Sequence, residues 1–222
     1  PTLTKKQRHK LRVQQVRRQK IFLTCLFLLI VGCILLRFSK FSGRQEEAHQ
    51  INAACEAYRD EVSSEAAQYD MSDYVDLLLA VMMQESSGQG TDPMQSSEGA
   101  YNTRYPQQPN GITDPSYSIS CGIQELKYAL DKAGCTGPTD LSKIRLALQA
   151  YNFGADSYFA YLEENGQTVW TAQSAQAFAQ MASGGTQRDE DDPLHDPAGP
   201  WDYGDQYYPD HVLRYYHLDN NS

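Results

Sequence analysis

Residues 77–95 read LLLAVMMQESSGQGTDPMQ and join an apolar run to a polar, glycine-rich turn. The seven apolar residues 77–83 are followed directly by Gln84 and Glu85. A segment rich in glycine and serine then leads to Asp92, which precedes Pro93. Aspartate before proline is typical of a helix N-cap followed by a proline at the first helical position. The stretch therefore predicts an apolar helix that ends at one carboxylate, a loop, and a second carboxylate.

The two carboxyl groups of this stretch indicate acid–base chemistry. Glu85 would lie against the apolar run, where desolvation favours the neutral carboxylic acid. Cleavage of a glycosidic bond needs such an acid, together with a polar partner that positions water or stabilises charge. Asp92 is the candidate for that partner. The alternative interpretations are a solvated glutamate at a helix end and an aspartate that only caps a helix.

The charge of the chain is divided unevenly. The 222 residues have a net charge of −9, but residues 1–44 hold 11 of the 19 basic side chains and no acidic ones. The remaining residues have 8 basic and 28 acidic side chains, which is a net charge of −20. A domain this acidic is a poor binder of nucleic acid, so we expect no nucleic-acid partner.

The N-terminal part predicts a membrane anchor. Residues 21–36 are almost entirely apolar, would span roughly 24 Å as a helix, and could be extended by Phe38. Eight basic residues precede the run, which places the N-terminus in the cytoplasm and the remainder on the cell-wall side. The sequence after the run has no cleavage site of the kind that follows a signal peptide. A lipoprotein anchor at the lipobox-like residues 30–33 is a minor alternative. The predicted organisation is a basic segment 1–20, a single-pass transmembrane helix 21–38, a linker 39–49 and a domain 50–218.

The pattern after residue 45 predicts an all-α domain with about seven short helices around one core. No strand alternation and no internal repeat are present. The predicted helices cover residues 46–69, 73–84, 93–98, 114–133, a segment that begins at Pro138, 155–164, 172–182 and 207–216.

Cysteine and histidine give no sign of a metal or cofactor. Cys55, Cys121 and Cys135 lie outside the apolar run, so at most one disulfide could form among them, and a Cys121–Cys135 pair is left open. No cysteine has the spacing of a zinc site, and the five histidines form no catalytic constellation. We therefore expect no metal and no cofactor.

Three motifs occur in an order that resembles a known superfamily. They are residues 84–95, the segment ISCGIQ at 119–124 and the segment QAYNFG at 149–154. Together they resemble the lysozyme-like superfamily of goose-type lysozymes and soluble lytic transglycosylases. The similarity is greatest to the lysozyme domain of bifunctional cell-wall hydrolases (CwlT type) from conjugative elements of Gram-positive bacteria. The resemblance covers roughly residues 50–216, and it implies a lysozyme-like helical fold.

The resemblance also implies roles for single residues. Glu85 matches the general acid, and Asp92 matches the second carboxylate of the conjugative-element branch. The residues whose positions imply contact with the sugar substrate are Ser87, Met94, Gln95, Gln124, Tyr151 and Asn152.

The resemblance implies a glycosidase of the muramidase type, which cleaves peptidoglycan between N-acetylmuramic acid and N-acetylglucosamine. Asp-Pro-Met-Gln at 92–95 replaces the Gly-Leu-Met-Gln of transglycosylases and favours hydrolysis. The alternatives are a lytic transglycosylase that forms 1,6-anhydro products and a non-catalytic wall-binding scaffold. The implied partners are peptidoglycan strands, the membrane and conjugative type IV secretion proteins. The bifunctional relatives also carry an NlpC/P60 peptidase domain. This chain stops at Ser222, so we expect a single-activity member or a fragment.

Overall fold

The computed structural model of the protein describes residues 50–192 and 195–217. Within these ranges the chain forms eight α-helices and no β-strand, with one isolated bridge between Gln187 and Trp201. The all-α prediction is therefore confirmed for the described residues. The helices are α1 (Ala53–Glu56), α2 (Arg59–Ala67), α3 (Val75–Glu85), α4 (Pro115–Ala133), α5 (Leu141–Phe153), α6 (Ala155–Glu164), α7 (Ala172–Ala182) and α8 (Tyr208–Leu213), and a 3-10 turn (Ser72–Tyr74) precedes α3.

The described residues belong to one compact unit. The predicted basic segment 1–20, transmembrane helix 21–38 and linker 39–49 lie outside them. Among the helices that the structure does describe, none combines the length and the apolar character needed to cross a membrane. The membrane anchor therefore stays a prediction.

Helix α3 forms the buried centre of this unit. The six consecutive residues from Leu77 to Met82 are all fully buried. A helix that is apolar on every side is stable only where other elements cover it on every side. Helices α1, α2 and α8 pack against α3. This packing covers α3 up to its C-terminal end, where Glu85 is the last helical residue and is partly buried.

Helix α4 begins and ends where the sequence predicts. The Asp114 carboxylate accepts a hydrogen bond from the backbone N–H of Ser116 (3.2 Å), and Pro115 is the first helical residue. Gly134 follows the helix at φ 70°, in the left-handed conformation that glycine adopts without strain. The long helix packs along α5 and holds the face of the domain on which the polar loop 86–113 rests.

The helix predicted over residues 46–69 is wrong as one element, because the described part is divided. The Asn52 side chain accepts a hydrogen bond from the N–H of Cys55 (2.8 Å) and starts α1, which ends at Glu56. Helix α2 then begins at Arg59. The break lets α1 and α2 both contact α3.

The short helix predicted over residues 93–98 is also wrong, since the chain forms turns there. Gln95 has φ 48°, a left-handed conformation that a right-handed helix cannot contain. The N–H groups of Ser96 and Ser97 bond to the carboxylate of Asp92 instead of to helical carbonyl groups. The aspartate is therefore correctly predicted to satisfy backbone donors, but it organises a loop and not a helix.

The three cysteines of the described unit are free thiols. The Cys121–Cys135 disulfide, left open by the sequence, is therefore not formed. Burial raises the pKa of Cys55 to about 11 and also raises that of Cys121. Both side chains stay protonated at neutral pH and act as small apolar core residues.

Gly122 lets helix α4 approach the polar loop closely. A Cβ atom at this position would lie 2.6 Å from Cβ of Met94 and 2.9 Å from its Cγ and Cε. Met94 is itself 1% exposed, so its side chain has no free space into which it could move. The loop that contains Asp92 is thus seated directly on the α4 backbone.

Replacement of Gly122 by alanine is expected to destabilise the protein. Overpacking costs about 1–3 kcal/mol, which exceeds the gain of roughly 0.5–1 kcal/mol that alanine gives in a helix interior. Gly137→Ala is the control, because no atom would lie within 4 Å of its Cβ and its φ is not left-handed. Chemical unfolding measures both variants, and a Gly122→Ala protein as stable as the control would contradict the close packing.

Candidate active site

The carboxyl group of Glu85 lies at the C-terminal end of α3, next to the buried part of that helix. Burial raises the pKa of Glu85 to about 7, and the negative charges of Asp205, Asp92 and Glu125 act in the same direction. A hydrogen bond from Tyr208 acts in the opposite direction. A carboxyl group with a pKa near 7 is about half protonated at neutral pH and mostly protonated below it, so it can serve as a general acid.

Tyr208 is the direct partner of this carboxyl group. Its hydroxyl donates a hydrogen bond to Oε1 of Glu85, and the residue is 2% exposed. The ring of Tyr208 stacks on Tyr151 with a centroid distance of 6.2 Å and an interplanar angle of 24°. The hydroxyl of Tyr151 donates to the carbonyl oxygen of Met94 (3.0 Å). Two tyrosines therefore connect the acid on α3 with helix α5, helix α8 and the polar loop.

Asn152 fixes the chain segment that precedes α8. Its side-chain oxygen accepts a hydrogen bond from the backbone N–H of Asp205 (2.7 Å). Gln149, one turn earlier on α5, donates to the backbone oxygen of Asp205 (2.8 Å) and accepts from the indole of Trp170 (2.9 Å). Because Gln149 is fully buried, these bonds hold the segment at a defined position.

A cavity of about 820 Å³ opens beside Glu85. Its size lies within the range usual for small-ligand pockets, about 300–1,000 Å³. Helix α3, helix α5 and the segment around α8 all contribute to its walls. The described residues at its wall include Gln84, Glu85, Gln95, Asn152, Asp205, Tyr208 and His211.

Asp92 is buried beside the site, with 1% of its surface exposed. Its Oδ1 accepts from the N–H of Ser96 (3.0 Å) and the hydroxyl of Ser118 (2.5 Å). Its Oδ2 accepts from the N–H (3.2 Å) and the hydroxyl of Ser97. Three of these bonds are made within the loop, and the bond from Ser118 joins the loop to α4. These contacts agree with the loop-organising interpretation of Asp92, and its catalytic role stays a prediction.

Met94 and Ser87 were both predicted to bind substrate. The side chain of Met94 is buried against Gly122, and its backbone carbonyl oxygen accepts a hydrogen bond from Tyr151. Ser87 has φ 55°, and its backbone oxygen accepts from the side chain of Asn52 (3.0 Å). The structure thus places one residue in the core and the other against α1.

Gln95 and Gln124 lie on different sides of the polar loop. Gln95 lines the cavity of Glu85, and its amide donates to the backbone oxygen of Asp92 (2.8 Å) and to Asn110 (3.0 Å). Gln124 lines a separate surface pocket of about 620 Å³ with Tyr101. Of the predicted site residues, the structure therefore gathers Glu85, Gln95, Tyr151 and Asn152, and it leaves Gln124 apart.

Several residues of the site were not predicted from the sequence. Tyr208 lies 123 positions after Glu85, and no local pattern distinguishes it among fifteen tyrosines. Ser118 could not be predicted for the same reason, because its hydrogen bond to Asp92 joins residues 26 positions apart. Asp205 lies in the segment Tyr203-Gly204-Asp205, outside the three motifs that carried the resemblance. No group of three or more metal-ligating side chains occurs in the described part of the chain.

The sequence of the described unit matches a known family. Residues 53–216 match the family described as lysozyme-like. The chain belongs to this family. The matched range includes the acid on α3, the loop, the two tyrosines and helix α8, and it confirms the resemblance seen in the three sequence motifs.

Curated relatives point in the same direction. The chain is 35% identical over 173 residues to the bifunctional muramidase/DL-endopeptidase CwlT of Bacillus subtilis (strain 168), covering 78% of this chain and 43% of the relative. It is 39% identical over 111 residues to the uncharacterized membrane protein YocA of the same strain, covering 50% and 45%. A pneumococcal vaccine antigen A homolog of Streptococcus pyogenes serotype M1 is 37% identical over 110 residues, with 50% of each covered. The chain thus spans about half, or less, of these relatives.

A solved structure shares the fold. A protein described as similar to a lipoprotein of the NLP/P60 family, from Staphylococcus aureus subsp. aureus Mu50, superposes with a TM-score of 0.65 at 26% identity. The alignment covers 78% of this chain and 56% of the other. The lysozyme-like architecture of the described unit is therefore found in an independently determined structure.

Asp92→Asn is expected to destabilise the protein by about 2–4 kcal/mol, because the amide that replaces one carboxylate oxygen cannot accept the bonds made there. Asp191→Asn, at an exposed position, is the matched control. Thermal and urea unfolding give the difference between the variants. Equal stabilities would contradict the loop-organising role of Asp92.

Proposed function

We propose that the described unit is a glycosidase that cleaves peptidoglycan between N-acetylmuramic acid and N-acetylglucosamine. One observation carries the proposal: Glu85, a carboxyl group whose pKa burial raises to about 7, lines an open cavity. Membership of the lysozyme-like family and similarity to a relative named a muramidase support it. The cavity volume of about 820 Å³ is large enough for sugar rings.

In the proposed reaction Glu85 donates its proton to the glycosidic oxygen as the bond to the anomeric carbon breaks. The resulting carboxylate is stabilised by the hydroxyl of Tyr208, whose hydrogen bond favours the charged form of Glu85. Burial favours the neutral acid before the reaction, and Tyr208 limits the cost of the charge after it. The two opposing effects keep the pKa of Glu85 close to neutral pH, where the group can both donate and accept a proton efficiently.

We propose hydrolysis, with water as the nucleophile, over transglycosylation. The Asp-Pro-Met-Gln segment at 92–95 differs from the Gly-Leu-Met-Gln of transglycosylases, and the seating of Met94 on Gly122 shows that this segment shapes the loop beside the acid. In the alternative reaction the C6 hydroxyl of the same sugar attacks, and the product is a 1,6-anhydro sugar that contains no added water. The two reactions are separated by the mass of their products.

We further propose that the unit is tethered to the outer face of the membrane and opens the cell wall for a conjugative, type IV secretion apparatus of a Gram-positive bacterium. The basic residues that precede the apolar run 21–36 support the tether, as does a relative named a membrane protein. The role in conjugation rests on the resemblance to hydrolases of conjugative elements. In this arrangement the glycan strands of the wall are the substrate.

The function is tested by mass spectrometry of purified peptidoglycan digested with residues 45–222. We expect fragments that end in reducible N-acetylmuramic acid, and we expect Glu85→Gln to lower their release about 100- to 10,000-fold, since the proton donor is lost. Glu98→Gln, at an exposed position, is the control. Fragments that end in an anhydro sugar would show that the reaction is transglycosylation and not hydrolysis. Wall binding without any fragments would favour the scaffold alternative, and an active Glu85→Gln protein would overturn the assignment of the acid.

A further inference from the structure

We propose that Asp205, held by His211, is the carboxylate that activates the attacking water. This inference rests on the proposed hydrolytic function and adds a residue that the sequence motifs gave no role. It also assigns the water-activating work to the segment before α8 and not to the polar loop. Four features of the structure carry it: the position of Asp205, its accessibility, its fixed orientation and the contrast with Asp92.

Asp205 lies at the wall of the same cavity as Glu85. Its negative charge is the largest single electrostatic influence from another acidic residue on Glu85, ahead of those of Asp92 and Glu125. A second carboxylate that acts in concert with a catalytic acid must face the same bound sugar. Among the acidic residues that influence Glu85, Asp205 is the one that lines this cavity.

The carboxylate of Asp205 is both accessible and oriented. Its side chain is 27% exposed, and that of His211 is 30% exposed. Oδ2 pairs with Nδ1 of His211 at 2.5 Å, and Oδ1 accepts the backbone N–H of Tyr207 at 2.8 Å. Each carboxylate oxygen has two lone-pair positions, so room remains on both for a water molecule from the cavity. Hydrogen bonds from Gln149 to the backbone oxygen of Asp205, and from its backbone N–H to Asn152, fix the position of the residue.

The carboxylate of Asp92, in contrast, is neither exposed nor open to a further hydrogen bond. It is 1% exposed, and its two oxygens accept four hydrogen bonds from serine residues at positions 96, 97 and 118. A carboxylate whose lone-pair positions are filled by protein donors has no place for water. The structure therefore separates two tasks: Asp92 builds the loop, and Asp205 remains available for chemistry.

Two protons are transferred in the proposed step. The water oxygen forms a bond to the anomeric carbon of N-acetylmuramic acid, and one water proton passes to the Asp205 carboxylate. The bond between the anomeric carbon and the bridging oxygen breaks, its electron pair stays on that oxygen, and the oxygen takes the proton of Glu85. One water is consumed, Asp205 ends protonated and Glu85 ends ionised. Exchange of protons with solvent restores both groups.

The inference is tested with Asp205→Asn and Asp205→Ala in residues 45–222. Asp210→Asn is the control, because Asp210 lies on α8, close in sequence to Asp205, and pairs with Arg145 at an exposed position. We expect Asp205→Asn to lower kcat about 100- to 10,000-fold, the usual contribution of a general base, with KM changed less than threefold. His211→Gln is expected to lower kcat about tenfold, since it loosens the carboxylate without removing it.

Sodium azide provides a readout that a structural role would not produce. In Asp205→Ala the small anion can occupy the space of the lost carboxylate and attack the anomeric carbon itself. We expect azide to restore fragment release and to yield a glycosyl azide on the face opposite the departing oxygen. Asparagine is similar in shape to aspartate, so we expect Asp205→Asn to have the circular dichroism spectrum of the wild type. A matching spectrum shows that its loss of activity does not come from misfolding.

The possible contrary results distinguish a failure of the Asp205 role from a failure of the glycosidase function. If Asp205→Asn is as active as Asp210→Asn, or if Asp205→Ala is folded and azide restores nothing, the inference fails while the glycosidase function stands. If the wild-type products are anhydro sugars, no water attacks and the role of Asp205 fails with the hydrolytic mechanism. If the wild type releases no fragments at all, the proposed function itself fails.

Discussion

The burial of one carboxyl group at the end of helix α3 is the constraint on which the site depends. The apolar residues of α3 require cover on every side, and the cover supplied by α1, α2 and α8 also takes part of the Glu85 carboxyl group out of water. Desolvation then disfavours the charged form of the side chain. The same packing that stabilises the core thus supplies the chemical property that a general acid needs.

The polar side of the site is built by tertiary hydrogen bonds. Tyr208 joins the acid to α8, Tyr151 joins α5 to the loop, and Asp92 joins the loop to α4. Each bond connects elements that are far apart in the sequence, so the site exists only when the whole unit is folded. This arrangement places rigid supports around an open cavity, which is the arrangement that favours precise positioning of a substrate.

Features set by local sequence could be predicted, and features set by distant contacts could not. The bounds of α4 follow from Asp114 and Gly134, which act within one turn of the helix ends. The helix expected after Pro93 failed because Ser118, 26 positions away, draws the Asp92 carboxylate toward α4. The motif at 84–95 correctly indicated the location of the acid, but the partner hydroxyl of Tyr208 carries no local signal.

The central claim is that the pKa of Glu85 is raised from its ordinary value to about 7, and a direct measurement of its titration tests it. Carbon-detected NMR of the protein with labelled glutamate, with Glu85→Gln to assign the signal, gives the pKa. The account predicts a value of about 7, because burial disfavours the charge, and a higher value in Tyr208→Phe, because the lost hydrogen bond favoured the charged form. Catalysis by this acid should then decline as the pH rises above 7. A Glu85 that titrates near 4.5, the ordinary value, would contradict the account.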